Sequence, residues 1–134
     1  NFRDGHWNGF IRTKDYKKGV NERNSGDLIL DIDLKGKSHS EIGIHALESL
    51  GSYIMFPKSI ELYDINGQQN KLIYSKNYTA SALGTPDLVK FFKIPITQKA
   101  EKLRLVIKSN KKLPKGHPAQ GEYAWLFVDE ILFL

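Results

Sequence analysis

The stretch Asp27-Leu28-Ile29-Leu30-Asp31-Ile32-Asp33-Leu34 decides the fold class. In an extended chain, successive side chains point to opposite faces. The aliphatic residues at 28, 30, 32 and 34 therefore share one face, and Asp31 and Asp33 share the other. A helix with the same sequence would spread the carboxylates around its surface. The alternation thus predicts a β-strand with one buried face.

The same two-residue period recurs along the rest of the chain. It appears in segments 42–47, 60–65 and 103–108, while the return segment 71–74, the β-rich segment 88–96 and the apolar run 122–134 predict further strands. Asn66-Gly67 lies between two of these segments and predicts a β-hairpin. Only segment 46–52 could hold a helical turn. About eight short strands separated by turn-rich stretches predict an all-β, antiparallel sandwich or barrel.

Length and composition limit the class of protein. The 134 residues predict one domain, 1–134, with a core of its own. The absence of cysteine excludes disulfides and thiolate metal sites. No apolar run approaches the ~20 residues of a membrane-spanning helix, so we expect no membrane insertion. The chain starts at Asn1 with no leader, which we interpret as a fragment of a longer polypeptide.

The net charge of +5 comes mainly from lysine, which supplies 16 of the 20 basic residues. The densest cluster comprises Lys108, Lys111, Lys112 and Lys115. One interpretation is a patch for an anionic polymer, and the other is a solvated loop beside a sheet edge. Because arginine, which usually leads in phosphate recognition, is scarce, we favour the solvated loop and expect no nucleic-acid partner.

The sequence offers little support for catalysis. It contains neither a Gly-x-Ser-x-Gly nor a His-Glu-x-x-His motif. A glycosidase needs two facing carboxyl groups, and Asp129 and Glu130 are adjacent, so regular alternation would put them on opposite faces. We therefore expect a non-catalytic chain. Asp4, before Gly5, and Glu130 are candidates for a structural calcium ion held by loop oxygens.

Aromatic residues in glycine-rich stretches suggest sugar binding, because an aromatic face can stack on a pyranose ring. Trp7 lies between His6 and Asn8 and is flanked by two glycines. Tyr53 follows Gly51, and Tyr123 follows Gly121. Each aromatic residue could instead anchor a loop or join the core. Trp125, inside the final apolar run, is predicted to lie in the core.

Three stretches carry a family resemblance. They are Asn1-Phe2-Arg3-Asp4-Gly5-His6-Trp7-Asn8-Gly9-Phe10, Gly51-Ser52-Tyr53-Ile54-Met55-Phe56-Pro57, and the run from Gly116-His117-Pro118 through Tyr123-Ala124-Trp125 to Asp129-Glu130-Ile131. Together they resemble the C-terminal domain of Bacteroides-type family-20 glycoside hydrolases, the β-N-acetylhexosaminidases also called chitobiases. That domain is of the discoidin, or coagulation factor V/VIII C, type. The resemblance covers nearly the whole chain, and its last stretch is the most specific.

The resemblance implies a galactose-binding-like, eight-stranded jelly-roll β-sandwich. It implies a secreted, periplasmic or surface-bound bacterial enzyme whose catalytic domain lies elsewhere in the same chain. The glycan-binding residues would be His6, Trp7, Asn8, Tyr53, His117 and Tyr123, for an N-acetylhexosamine or galactose ligand. Glu130 matches a position where the superfamily often supplies a carboxylate. The family's usual Asp-Gly turn would precede Asn1, which leaves the calcium loop around Asp4 incomplete.

Three functions follow as hypotheses. The first is a non-catalytic carbohydrate-binding accessory domain, in which tethering raises the local concentration of substrate. The second is a structural domain that braces a catalytic barrel and has no ligand of its own. The third is a discoidin-like module that binds protein or phospholipid through its loop tips.

Overall fold

The structure, a computed structural model, describes residues 11–17, 23–67 and 69–134. Nine strands and one 3-10 turn make up its regular elements. They are β1 (Ile11–Lys17), β2 (Arg23–Ser25), β3 (Leu28–Asp33), β4 (Glu41–Glu48), the 3-10 turn (Leu50–Ser52), β5 (Ser59–Asp64), β6 (Lys71–Asn77), β7 (Leu88–Pro95), β8 (Lys102–Lys108) and β9 (Trp125–Phe133). Within this part of the chain, no helix is long and apolar enough to cross a membrane.

The strands form two antiparallel sheets. One has the order β2-β1-β9-β4-β7, and the other has the order β3-β8-β5-β6. When the three-residue β2 is left out and the other eight strands are renumbered 1 to 8 in chain order, the two sheets have the strand orders 1-8-3-6 and 2-7-4-5. This is the order of a jelly roll, in which consecutive strands cross between the two sheets except at the hairpin of β5 and β6. The predicted all-β jelly-roll sandwich is therefore confirmed.

Aliphatic side chains from both sheets fill the core between them. Those that are completely inaccessible include Ile42, Ile44, Ile60, Leu62, Ile94, Leu103, Leu105, Ile107 and Val128. All of them lie at alternate positions in their strands, as the two-residue period predicted. Burial of each such side chain contributes about 1.5–3 kcal/mol, which makes this layer the main source of stability.

The opening stretch behaves as predicted, and its strand lies at an edge of the four-stranded sheet. Leu28, Leu30 and Ile32 pack against the core, whereas Ile29, Asp31 and Asp33 are exposed. The predicted hairpin is also present, since β5 pairs with β6 across the Asn66-Gly67 segment. The helical segment is reduced to the single turn Leu50–Ser52.

Trp125 does not lie in the core, and that prediction is wrong. Leu126 and Val128 take the core-facing positions of β9. The alternation of β9 therefore places Trp125 on the outer face of the five-stranded sheet, where it is half-buried and its ring meets that of Phe127 edge to face at 5.9 Å. In a continuous apolar run, the sequence does not reveal whether the odd-numbered or the even-numbered residues face the core, and this caused the error.

A β-bulge in β9 overturns the expected separation of Asp129 from Glu130. His45 pairs with Glu130 and Ala46 pairs with Val128, so Asp129 is an extra residue in its strand. The bulge lets the Asp129 carboxylate reach His45, with 2.6 Å between Oδ1 and Nδ1. Both side chains are buried, at 0% and 4% exposure. The two acidic residues therefore do not alternate as a regular strand would require.

Most of the lysine cluster is engaged with other side chains. Lys108 forms a salt bridge with Glu61, and Lys111 forms one with Asp27. The amino group of Lys112 lies 5.6 Å from the centre of the Tyr123 ring. Hydrogen bonding to Glu61 raises the pKa of Lys108. These contacts favour the interpretation of the cluster as a solvated, internally paired loop.

Candidate binding site

Three loops meet at one end of the sandwich, and together they form a pocket. They are segments 49–58 between β4 and β5, 78–87 between β6 and β7, and 109–124 between β8 and β9. A small second core lies beneath two of them. It contains Leu50, Met55, Leu113 and Ala124, with Ala119 packed against it. Because this core joins the first and third loops, their backbones are held in fixed relative positions.

The first loop is a short, closed turn that presents Tyr53. Ser49 and Ile54 exchange both backbone hydrogen bonds, each of 2.9 Å, and the 3-10 turn lies between them. Tyr53 has φ +65°, in the left-handed region that bulky residues rarely adopt. Its carbonyl accepts a 2.7 Å hydrogen bond from the Trp125 amide. Such backbone strain, worth of order 1–3 kcal/mol, is concentrated at functional sites.

His117 ties the third loop to the first. The Ala119 amide donates to Nδ1 over 2.9 Å, so that nitrogen is the acceptor. Nε2 lies 2.8 Å from the Leu50 carbonyl oxygen and must therefore carry the proton and donate it. The residue as a whole is 8% exposed. Since both nitrogens serve the backbone, His117 can offer a ligand its ring edge but no unused hydrogen-bonding atom.

The Tyr53 and His117 rings form one wall of an open pocket of about 480 Å³, hereafter the Tyr53 pocket. The rings meet edge to face, with centroids 5.8 Å apart. Tyr53 is 37% exposed, so part of its ring faces solvent. The other lining residues are Leu50, Gly51, Leu83, Gly84, Thr85, Gly116, Pro118 and Ala119.

The second loop contributes Leu83 to the lining of the Tyr53 pocket. This side chain is 45% exposed, although it is large and apolar. It lies against Gly116, where an added Cβ would be 2.9 Å from Leu83 Cδ1. Gly116 also has φ +90°, which favours glycine. The close approach of the second loop to the third therefore depends on the absence of a side chain at position 116.

The lining of the Tyr53 pocket is suited to binding rather than to acid–base chemistry. None of its ten residues is acidic or basic apart from His117, whose nitrogens are already bonded. The Thr85 hydroxyl donates to the Ala82 carbonyl. What remains for a ligand is an aromatic ring, several apolar side chains and the backbone of three glycines. Such a surface fits a neutral ligand with an apolar face.

The predicted site residues divide into three groups. Tyr53 and His117 come together, as the glycan-binding hypothesis expects. Tyr123 does not line the pocket, because its backbone pairs with Lys112 and its ring lies under that lysine. His6, Trp7 and Asn8 lie outside the described residues.

The calcium prediction has no direct support. Asp4 lies outside the described residues. Glu130 is half-buried within β9 and is the pairing partner of His45. In the part of the chain that the structure describes, no group of three or more histidine or carboxylate side chains could hold a metal ion. Calcium at Glu130 therefore stays a prediction.

Sequence reasoning missed Leu83 and Thr85. In the sequence, segment 81–87 is one of the turn-rich stretches between the predicted strands. The available signal was a large apolar residue next to Gly84 in a loop otherwise made of small and polar residues. A leucine at such a position has no strand face to occupy, so it either packs beneath the loop or remains exposed for a partner.

No family model matches this chain, and no curated protein matches its sequence. The resemblance to the hexosaminidase domain accordingly stays a prediction based on the three quoted stretches.

Proposed function

We propose that this chain is a non-catalytic carbohydrate-binding domain that receives a neutral sugar in the Tyr53 pocket. The observation that carries the proposal is the partly exposed Tyr53 ring, held at a strained backbone position and braced edge to face by His117. An aromatic ring fixed in this way can stack on the apolar face of a pyranose at little cost in conformational entropy. The uncharged lining supports a neutral ligand rather than an acidic one.

The N-acetylhexosamine or galactose specificity, and the origin in a secreted bacterial β-N-acetylhexosaminidase, remain part of this proposal and rest on the sequence resemblance alone. In such an enzyme, the domain would contribute no catalytic residue. An open pocket of this size gives modest affinity by itself. Tethering to a catalytic domain would convert that affinity into a higher local concentration of substrate.

Titration followed by backbone amide NMR tests the proposal. N-acetylglucosamine, N-acetylgalactosamine and galactose are added separately, up to millimolar concentrations. We expect at least one to shift the amides of Gly51, Gly84 and Gly116. Tyr53→Ala should weaken that sugar about tenfold, because loss of an aromatic contact costs ~1–1.5 kcal/mol. Tyr53→Phe should retain most of the affinity, since the ring remains.

The matched control is Tyr123→Ala, which removes an aromatic ring that does not line the pocket. It should leave sugar binding unchanged. Failure of all three sugars to bind at millimolar concentration, or equal binding by Tyr53→Ala, would contradict the proposal.

A structural bracing role is the second candidate, and a different observation favours it. Trp125 and Phe127 lie half-buried on the outer face of β9. Phe91, on the edge strand β7 of the same sheet, is half-buried as well. The outer face of a solvated antiparallel sheet is normally polar. Slower amide exchange of β7 and β9 in the intact parent protein than in this chain alone would support bracing.

A further inference from the structure

A second pocket lies at the opposite end of the sandwich. It has a volume of about 550 Å³ and is formed by the β3–β4 and β7–β8 loops. We call it the Lys37 pocket. The first loop contributes Lys37, Ser38 and His39, and the second contributes Thr97, Lys99 and Glu101. Neither the sequence motifs nor the proposed sugar site involves any of these residues.

Backbone hydrogen bonds join the two loops on both sides of the Lys37 pocket. At one side, the Leu34 amide donates to the Glu101 carbonyl over 2.8 Å. At the other, the Ile96 amide donates to the Ser40 carbonyl, also over 2.8 Å. The first loop turns tightly, since Lys35 and Gly36 both have positive φ and the Lys37 amide bonds back to Leu34. The walls of the pocket are therefore fixed relative to each other, as in most ligand sites.

The base of this pocket is apolar. Leu34 is 7% exposed and belongs to the main core. Ile96 and Ala100 are partly buried and pack against the same core. An apolar base beneath polar walls resembles a small-molecule site more than a hydrated surface groove.

The polar side chains of the walls are uncommitted. Within the described residues, none of the six named side chains forms a hydrogen bond or salt bridge with another protein group. The Tyr53 pocket differs in this respect, because His117 and Thr85 are bonded to backbone carbonyls. Among the described rings, that of His39 contacts Phe133 edge to face at 5.7 Å.

The charges in the Lys37 pocket select one class of ligand. Lys37 and Lys99 favour an anionic group, while Glu101 can only accept hydrogen bonds when ionised. An inorganic anion would use neither the apolar base nor Glu101, which can accept hydrogen bonds from hydroxyl groups. A neutral sugar would leave both lysines without a counter-charge. An acidic sugar matches all three features, because it carries an anionic group, hydroxyl donors and an apolar face.

We propose that the Lys37 pocket is a second binding site, specific for an acidic saccharide whose carboxylate or sulfate group lies between Lys37 and Lys99. Glu101 accepts hydrogen bonds from the sugar hydroxyls, and Leu34, Ile96 and Ala100 contact the ring. This site does not depend on the sugar proposed for the Tyr53 pocket.

The experiment titrates the chain with two ligand pairs and maps binding by backbone amide NMR. Digalacturonate is compared with its methyl diester, which has the same rings without the charge. Glucose 6-sulfate is compared with glucose. We expect one or both acids to shift the amides of Gly36, Thr97 and Ala100, and to bind about tenfold more tightly than the neutral partner. The acid that binds identifies the anionic group.

Substitutions then locate the contact. The double variant Lys37→Gln/Lys99→Gln should lose about tenfold or more in affinity for the acid. The control, Lys58→Gln/Lys115→Gln, removes the same charge from exposed positions at the other end of the sandwich and should bind as the parent does. The proposal is overturned if neither acid binds, if the diester binds as tightly as the acid, or if the two double variants behave alike. Equal affinity for inorganic sulfate would overturn it as well.

Discussion

At the scale of single residues, burial decides how much a hydrogen-bonded pair of side chains contributes to stability. His45 and Asp129 are buried, and among the residues that the structure describes Asp129 Oδ2 has no hydrogen-bond partner. Asp129→Ala would remove the carboxylate from the buried imidazole. We expect this variant to lose about 1–3 kcal/mol of unfolding free energy, because the buried imidazole Nδ1 loses its hydrogen-bond partner. Urea unfolding at neutral pH measures the change.

Asp31 and Arg104 provide the comparison. They form a two-pronged salt bridge of 2.7 and 3.0 Å on the exposed surface of β3 and β8. Arg104 lowers the pKa of Asp31, chiefly through these hydrogen bonds. Solvent screens such a pair, so Asp31→Ala should unfold at nearly the same urea concentration as the parent. Equal losses in the two variants would contradict the distinction.

Gly116 links residue geometry to the proposed sugar site. Gly116→Ala would combine strain at φ +90° with a contact of 2.9 Å to Leu83 Cδ1. We expect the variant to displace Leu83 and to weaken sugar binding severalfold, because one wall of the Tyr53 pocket moves. The binding constant from NMR titration gives the result.

Gly121→Ala is the matched control for Gly116→Ala. Gly121 has φ +86°, almost the same backbone conformation, but an added Cβ would have no neighbour within 4 Å. The two variants should lose similar stability, and only Gly116→Ala should lose affinity. A similar loss of affinity in both would show that general loop strain is responsible instead of Leu83.

At the scale of the elements, the end of β6 packs on β7 through aromatic rings. Tyr78 follows β6 directly, and its ring centroid lies 4.8 Å from that of Phe92. Burial, and secondarily the neighbouring Tyr74, raises the pKa of Tyr78 to about 12, from an ordinary value of 10.0. In the unfolded chain Tyr78 ionises near its ordinary value, whereas the folded protein retains the proton. Its contribution to stability is therefore complete below pH 10 and is lost as the pH rises towards 12.

Measurement of unfolding free energy against pH tests this contribution. The unsubstituted chain should lose unfolding free energy above pH 10, and Tyr78→Phe should show a shallower decline over the same pH interval. Burial also raises the pKa of Tyr63 on β5, so that residue contributes a decline of the same sign and the slope of the variant will not vanish. An identical pH dependence in Tyr78→Phe and the parent would show that this ring does not retain its proton.

The strands were predictable from sequence because their signal is local. The alternation of Leu28 to Leu34 needs only the period of an extended chain, and the structure follows it. The position of Asp129 was not predictable in this way. Its bulge arises from pairing with His45, 84 residues away in the sequence, and no local pattern encodes an extra residue in one strand. The core prediction for Trp125 was wrong for a related reason, since only the pairing of β9 determines which alternate residues of that strand face the core.

The candidate site was predictable only where its residues carried an intrinsic signal. Tyr53 stood out as an aromatic residue in a glycine-rich loop, and the structure leaves its ring partly exposed. His117 was included through the family resemblance, but the structure assigns it a bracing task that depends on the Leu50 carbonyl. The Lys37 pocket had no sequence signal, because its polar residues are ordinary loop residues. They form a pocket only because two backbone hydrogen bonds bring the loops together.

At the scale of the whole molecule, the jelly roll separates two chemically different pockets. β8 is seven residues long and connects the two ends, so the pockets lie about 20 Å apart. The Tyr53 pocket is lined without acidic or lysine side chains, whereas the Lys37 pocket contains two lysines and one glutamate. At physiological salt, charge interactions decay over ~8 Å, so neither pocket should sense the other through electrostatics.

Salt dependence distinguishes the two pockets in one protein sample. Between about 0.05 and 0.5 M sodium chloride, affinity for the acidic saccharide should fall severalfold, because screening weakens its attraction to Lys37 and Lys99. Affinity for the neutral sugar should stay constant. Tyr53→Ala should change only the affinity for the neutral sugar. Lys37→Gln/Lys99→Gln should change only the affinity for the acidic saccharide, since distant sites contribute independently. If each substitution altered both affinities, the two ligands would share one site, and the separation of the pockets along β8 would have no functional meaning.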